Sequence, residues 1–247
     1  MKVFAKTDVG KVRKMNQDYY FITSENDEPK LFILADGMGG YAGGEIASKM
    51  SVDCVKNYIY EKWNTIEKSE SNILNLLRDA TIYANKLIYE KSKQDEQLSE
   101  MGTTLDICLI YNEVIYISHI GDSRVYKVSE DYIKQLTTDH TYVERLLKEG
   151  KITKDEAEVH PDRHMLLKAL GCDETIEPDI LSERWNEKES ILLCSDGLTN
   201  LVKDSEIQNI ILNDLISPEK SLVNMANDIG GIDNITVILI KKDNNQN

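Results

Sequence analysis

Apolar and polar positions along the chain alternate between short runs of strand length and longer stretches of helical period. Runs near residues 2–7, 18–23, 31–35, 104–111, 114–120, 124–128, 190–195 and 235–240 are rich in Val, Ile, Leu and Tyr. Apolar runs this short, bounded by turn residues, read as strands. Asn112-Glu113, between two of them, predicts a tight hairpin turn. Two long helices separate the third and fourth strands. Ile46, Met50, Cys54 and Tyr58 share a face of the first; Ile73, Leu77, Ala80, Ala84 and Leu87 share a face of the second, with Ser71 as its cap. A later pair, near 204–213 and 218–229, supplies a second helical layer, and Pro218 suits a first helical turn. Pattern alone therefore predicts a mixed α and β chain with largely antiparallel pairing.

The stretch from Asp139 to Leu170 breaks this rhythm. It is polar and interrupted by Gly150 and Pro161, with one amphipathic helix over 139–147 and a second short one over 154–158. It is expected to be the most mobile ordered part of the chain. The tail 243–247 reads as frayed.

The ends of the strand-like runs carry acids. Leu31 to Ala35 stop at Asp36, and four of the next seven residues are glycine: Gly37, Gly39, Gly40 and Gly43. Ile191 to Cys194 lead to Ser195-Asp196-Gly197, Val114 to Ile120 lead to Gly121-Asp122, and Asp233-Asn234 opens the run 235–240. A carboxylate at the lip of a buried strand is costly unless something pairs with it. A carboxylate beside an exposed glycine carbonyl is chemistry for a hard cation such as Mg²⁺ or Mn²⁺. One such acid is a turn; four at strand ends suggest a cluster at one rim of a sheet, which makes physical sense mainly around metal ions.

Bulk properties narrow the classes. The 247 residues fit one sizeable domain, and 41% hydrophobic with 29% charged residues is ordinary for a globular protein. A net charge of −14 argues against nucleic acid and anionic membrane as partners. No run approaches a membrane span, the N-terminus lacks a signal-peptide core, and Cys54, Cys108, Cys172 and Cys194 show no CxxC pairing, so a cytoplasmic location with reduced thiols is expected.

Seven blocks resemble, in order, the motifs of the metal-dependent protein phosphatases, the type 2C Ser/Thr phosphatases in their compact bacterial form. They are 13–18 (RKMNQD), 35–40 (ADGMGG), 43–48 (GGEIAS), 101–104 (MGTT), 121–124 (GDSR), 195–198 (SDGL) and 233–237 (DNITV). The resemblance implies an α+β fold, a four-layer α-β-β-α sandwich of two mainly antiparallel sheets flanked by helix pairs, over residues 1–242, with the flap at about 139–170. It implies hydrolysis of phosphoserine and phosphothreonine on proteins by a hydroxide held between two Mn²⁺ or Mg²⁺ ions. Asp36 would bridge the two, the Gly37 carbonyl would hold the first, and Asp196 and Asp233 the second. Asp122 matches the ligand of a third, weaker ion; Asp18 would act through water; Arg13 would clamp the phosphate. Phosphoproteins would be the substrates of a monomer opposing a Ser/Thr protein kinase.

Some positions depart from the family pattern. Gln17 stands where the family often has Glu. Met38 stands where animal members carry a histidine acid, and Tyr41 where many bacterial members carry a histidine. The leaving-group proton is then assigned to a metal-held water rather than to Tyr41; His119 reads as a packed or hydrogen-bonded strand residue, and His140, His160 and His164, at or in the flap, carry little weight as metal ligand or acid. Non-catalytic relatives lose ligand acids; this chain keeps the whole set.

Overall fold

Strand β3 (Lys30–Met38) is buried on both faces, and this fixes the layering of the molecule. Leu31, Ile33 and Ala35 point into one apolar layer, and Phe32 and Leu34 into another. Alternate side chains of a strand leave opposite faces, so a continuous apolar run is what a strand covered on both sides requires. The computed structural model describes residues 1–24, 26–39 and 43–242. Tyr41 and the 243–247 tail lie outside the described residues.

Besides β3, the strands are β1 (Lys2–Asp8), β2 (Asp18–Ile22), β4 (Gly102–Thr103), β5 (Leu105–Tyr111), β6 (Val114–Ile120), β7 (Arg124–Val128), β8 (Ile133–Gln135), β9 (Asp179–Arg184), β10 (Ser190–Cys194) and β11 (Ile235–Lys241). One sheet runs β2-β3-β5-β6-β9, with β4 beside β3; the other runs β1-β11-β10-β7-β8. All pairs are antiparallel. Phe32, Leu34, Ile115 and Ile117 of the first sheet meet Ile191, Leu193, Ile238 and Ile240 of the second in a shared apolar layer.

Helices α1 (Gly43–Trp63) and α2 (Glu70–Gln94) cover the outer face of the first sheet. Helices α3 (Tyr142–Lys148) and α4 (Lys154–Glu158) lie in the 139–170 segment. Helices α5 (Asp196–Thr199), α6 (Asp204–Asn213) and α7 (Pro218–Ile229) cover the outer face of the second sheet, where Ile207, Ile211, Leu222 and Val223 pack on Leu192, Val237 and Leu239. Two helical layers outside two sheets make the four-layer α-β-β-α sandwich.

Several local expectations change. The buried stripe of α1 is Ala47, Val52, Val55, Ile59 and Trp63, whereas Ile46 is 36% exposed. Met50, Cys54 and Tyr58 are half-buried at the flank, where the Tyr58 ring meets Tyr83 of α2 at 5.3 Å. Ser48 and Ser51 sit on the buried side and break up its hydrophobic signal. Ser69, not Ser71, caps α2, its hydroxyl accepting from the Asn72 N–H. Ile88, not Leu87, is the buried residue of the last turns. The helix expected from Asp139 starts at Tyr142, after Thr141 caps it. The short or half-exposed strands β4, β8 and β9 gave no readable period. The hairpin at Asn112-Glu113 is as expected: both residues take positive φ, +48° and +62°, as the right-handed twist of a two-residue hairpin demands.

Candidate metal centre

The acids gather at one end of the two sheets. Asp18 opens β2 and stands opposite Asp36 in the β2–β3 register. Its Oδ2 accepts from the Ser195 hydroxyl at 2.8 Å and the Thr236 hydroxyl at 2.6 Å, both on the second sheet's side. Asp18 therefore ties the sheets together where the cluster sits. Its Oδ1 is buried with no hydrogen-bond partner among the described residues. Burial pushes the Asp18 carboxyl up to about 6, with Asp196 adding to the push and the two hydroxyls opposing it.

Asp36 lies near the end of β3. Its backbone is fixed from three sides: its N–H donates to Thr104 Oγ1, and its carbonyl accepts from the Thr104 N–H and the Thr103 hydroxyl, each at 2.9 Å. Burial holds its carboxyl well above the usual carboxylate range, and Asp18, Asp196, Asp122 and Asp233 push in the same direction. Asp122, Asp196 and Asp233 line the same cavity as Asp36, and Asp18 faces Asp36 across the β2–β3 register. Gly37 follows because nothing larger fits: a Cβ there would lie 2.1 Å from the Gly44 carbonyl oxygen and 2.6 Å from that of Gln17. The N-terminus of α1 is consequently packed directly against the strand end.

Asp196 is the first residue of α5, after a turn at Ser195. The Asn200 amide donates to its Oδ2 at 2.9 Å. Burial raises its carboxyl, Asp233 adds to this, and His164 and Asn200 oppose it. Asp233 precedes β11. Its Oδ1 accepts from the Asn234 N–H, and its Oδ2 is ion-paired with Arg13 Nη2, both at 2.8 Å. The Arg13 side chain is 53% exposed, so the pair itself contributes at most about 1 kcal/mol to stability.

Asn234 is the hub that sequence reasoning left without a role. Buried at 4% exposure, it accepts from the Gln17 N–H at 2.8 Å through Oδ1 and donates through Nδ2 to the carbonyls of Val9 and Met15, each at 3.0 Å. One side chain thus holds the Arg13 loop against Asp233. Its place in the 233–237 block was visible, but the block carries no mark that separates a fastener from a ligand.

Asp122 lies in the middle of the β6–β7 turn. Burial raises its carboxyl well above the usual range, followed by Asp196 and Asp139, with Arg124 opposing. Arg124 does not pair with Asp122; it forms a bidentate ion pair with Asp139, Nε–Oδ1 at 3.0 Å and Nη2–Oδ2 at 2.7 Å. The Asp122 turn is held by His140, whose N–H donates to the Gly121 carbonyl at 2.7 Å and whose Nδ1 accepts the Gly121 N–H at 3.1 Å. His119 is a buried structural residue: Nδ1 meets Asp106 at 2.7 Å and Nε2 meets the Thr138 carbonyl at 3.0 Å. Thr103 and Thr104, read as core turn or substrate contact, position Asp36.

A cavity of about 730 Å³ opens over the cluster, lined by Asp36, Asp122, Asp196, Asp233, Arg13 and the Gly37 backbone, with His164 and Ile232 also on its wall. Among the described residues no three carboxylate, imidazole or thiol groups are closed onto one point as a finished metal cage. Like charges repel when no cation lies between them. Small hard cations keep several waters and bind through one or two carboxylates at a time. A water-completed coordination sphere therefore fits this donor set of oxygen atoms, and the unpartnered Asp18 Oδ1 is an acceptor such a sphere can use.

Known proteins share this arrangement of chain. The family model described as protein phosphatase 2C matches residues 11–223. Protein phosphatase PhpP of Streptococcus pneumoniae is 38% identical over 244 residues, 97% of each chain. The crystal structure of serine/threonine phosphatase Stp1 from Staphylococcus aureus superposes with a TM-score of 0.91 at 34% identity, covering 98% of this chain and 95% of that one. The catalytic domain of the serine threonine protein phosphatase PstP, in complex with two manganese ions, superposes with a TM-score of 0.84 at 31% identity over 97% of each chain.

Proposed function

The chain belongs to the protein phosphatase 2C family, and on that premise we propose that the acidic cavity hydrolyses phosphoserine and phosphothreonine on proteins with the help of two Mn²⁺ or Mg²⁺ ions. The observation that carries this reading is that Asp36, Asp122, Asp196, Asp233 and Arg13 line one cavity, with Asp18 opposite Asp36 in the β2–β3 register. Asp36 would be shared between the ions, the Gly37 carbonyl would serve one, Asp196 and Asp233 the other, and Asp122 a third. Asp18 would accept from a coordinated water through its free oxygen. The relative with two manganese ions supports the number and the type of ion. Two divalent cations supply, when bound, charge neutralisation and an activated water for displacement at phosphorus.

The chain's own residues do the rest. Arg13 is half-exposed, and its guanidinium holds Asp233 through one nitrogen, Nη2. It is placed to bind two phosphate oxygens in parallel, the geometry for which arginine is suited. Asn234 and Asn200 fix Asp233 and Asp196 in register with it. Thr103 and Thr104 hold the Asp36 backbone, so binding a dianionic substrate does not displace the carboxylate.

The substrates in this reading are phosphoproteins produced by a Ser/Thr kinase, met by a monomer in the cytoplasm. Four free thiols fit a reducing compartment, and no helix among the described residues is long and apolar enough to cross a membrane. The experiment is turnover of a phosphothreonine peptide and of p-nitrophenyl phosphate with Mn²⁺ and with a chelator. Metal-dependent release of phosphate from both is expected; its absence from both overturns the assignment.

A further inference from the structure

We propose that His164 is the catalytic proton donor to the serine or threonine oxygen that leaves phosphorus. This inference rests on the phosphatase reading of the cavity and assigns it a residue of the 139–170 segment. His164 lies on the wall of the same cavity as Asp36, Asp196, Asp233 and Arg13. It bears electrostatically on the Asp196 carboxylate, and its side chain makes no hydrogen bond or ion pair with another described residue. Among the described residues nothing else engages the ring, which shares the cavity with the acids.

The other groups on that wall are unsuited to the task. A guanidinium holds its protons too tightly to give one up, which removes Arg13. Asn200 and Gln17 carry amides, and the Thr104 hydroxyl is engaged with the Asp36 N–H and Ser123. The acids are assigned to the cations. An imidazole is the side chain able to carry and release a proton near neutral pH. The other three histidines are committed: His119 to Asp106, His140 to Gly121, and His160 to the Asp162 N–H at 3.1 Å.

The segment bearing His164 is hydrogen-bonded to its surroundings. The Tyr142 N–H donates to the Met165 carbonyl at 2.8 Å, the Met165 N–H to the Asp162 carbonyl at 3.0 Å, and the Leu167 N–H to the His140 carbonyl at 2.7 Å. Leu166 bridges to Thr141 and also lines the cavity. Since His140 is itself bonded twice to Gly121, the backbone around His164 is linked to the turn that carries Asp122.

The step balances without another reactant. A water oxygen forms a bond to phosphorus, and the ester P–O bond breaks with its electron pair on the serine or threonine oxygen. The imidazolium proton moves to that oxygen, giving the alcohol, and the neutral imidazole is recharged from solvent.

The test uses leaving groups of different need. Nitrophenolate departs without a proton; an alkoxide does not. His164→Asn and His164→Gln are expected to lower kcat on a phosphothreonine peptide by about 10²-fold or more, within the range of general acid catalysis. Their kcat on p-nitrophenyl phosphate, their Mn²⁺ affinity by calorimetry and their unfolding temperature are expected to match the wild type. Equal losses on both substrates, an effect on KM alone, weakened Mn²⁺ binding, or an unchanged peptide rate each overturn the proposal. A wild-type protein inactive on both substrates overturns the phosphatase reading itself, and this inference with it.

Discussion

Asp18 and Asp36 face one another across a single antiparallel register position, the first residue of β2 against the seventh of β3. Burial raises both carboxyls, and the charge of Asp18 pushes Asp36 further up while a hydrogen bond with Asp36 opposes the rise of Asp18. The fold holds this repulsion in place through Ser195, Thr236, Thr103 and Thr104. A cluster arranged against its own charge gains stability from whatever neutralises it.

Asp36→Asn separates stability from activity. Removing the central charge relieves repulsion from four neighbours, so the metal-free variant is expected to unfold at a higher temperature than the metal-free wild type. The same change removes the shared ligand, and turnover with Mn²⁺ should vanish. Differential scanning calorimetry in chelator and phosphate release in Mn²⁺ check the two halves.

The Asp18 carboxyl gives the metal-free protein a pH signature. Its folded value of about 6 exceeds the ordinary 3.8, so between these values the folded state binds a proton that the unfolded chain does not. The stability from this proton is fully present below pH 3.8 and is lost as pH rises through about 6. The shift corresponds to about 3 kcal/mol. Denaturant titrations at several pH values should show a smaller fall of stability across this range in Asp18→Asn than in wild type, the remainder coming from the raised carboxyls of Asp36, Asp122 and Asp196; an equal fall in both would contradict it.

Asn234→Ala should damage the fold and the site together. It leaves the Gln17 N–H and the carbonyls of Val9 and Met15 without their partner, a cost of about 2–4 kcal/mol for buried groups. Urea unfolding measures that loss. Because the same side chain holds the Arg13 loop beside Asp233, calorimetric Mn²⁺ affinity is expected to fall as well, even where the variant remains folded.

Arg13→Ala should leave stability nearly untouched, since its ion pair with Asp233 is half-exposed. Its loss should appear in phosphate recognition. A charge-assisted hydrogen bond contributes about 1.5–3 kcal/mol, so inhibition by inorganic phosphate should weaken about 10- to 100-fold. Arg13→Lys keeps the charge without the fork and should recover only part of it.

Much of this was legible before the fold was known. The runs at 31–35, 114–120, 190–195 and 235–240 are strands because both faces are covered, and such runs need no partner sequence to be recognised. The acids at their ends, with the glycine after Asp36 and Asp196, marked the chemistry, since few arrangements tolerate a charge at the lip of a buried strand. What the chain alone did not disclose depends on partners far away in sequence. Asn234 acts through residues more than two hundred positions distant, Arg124 selects Asp139 over its neighbour Asp122, and His164 reaches the cavity only because Tyr142, His140 and Gly121 carry its segment there. Local pattern determined where strands end and which side chains sit at those ends. The three-dimensional fold decided which ends meet, because hydrogen bonds and like-charge repulsion act over a few ångströms of space and are indifferent to distance along the chain.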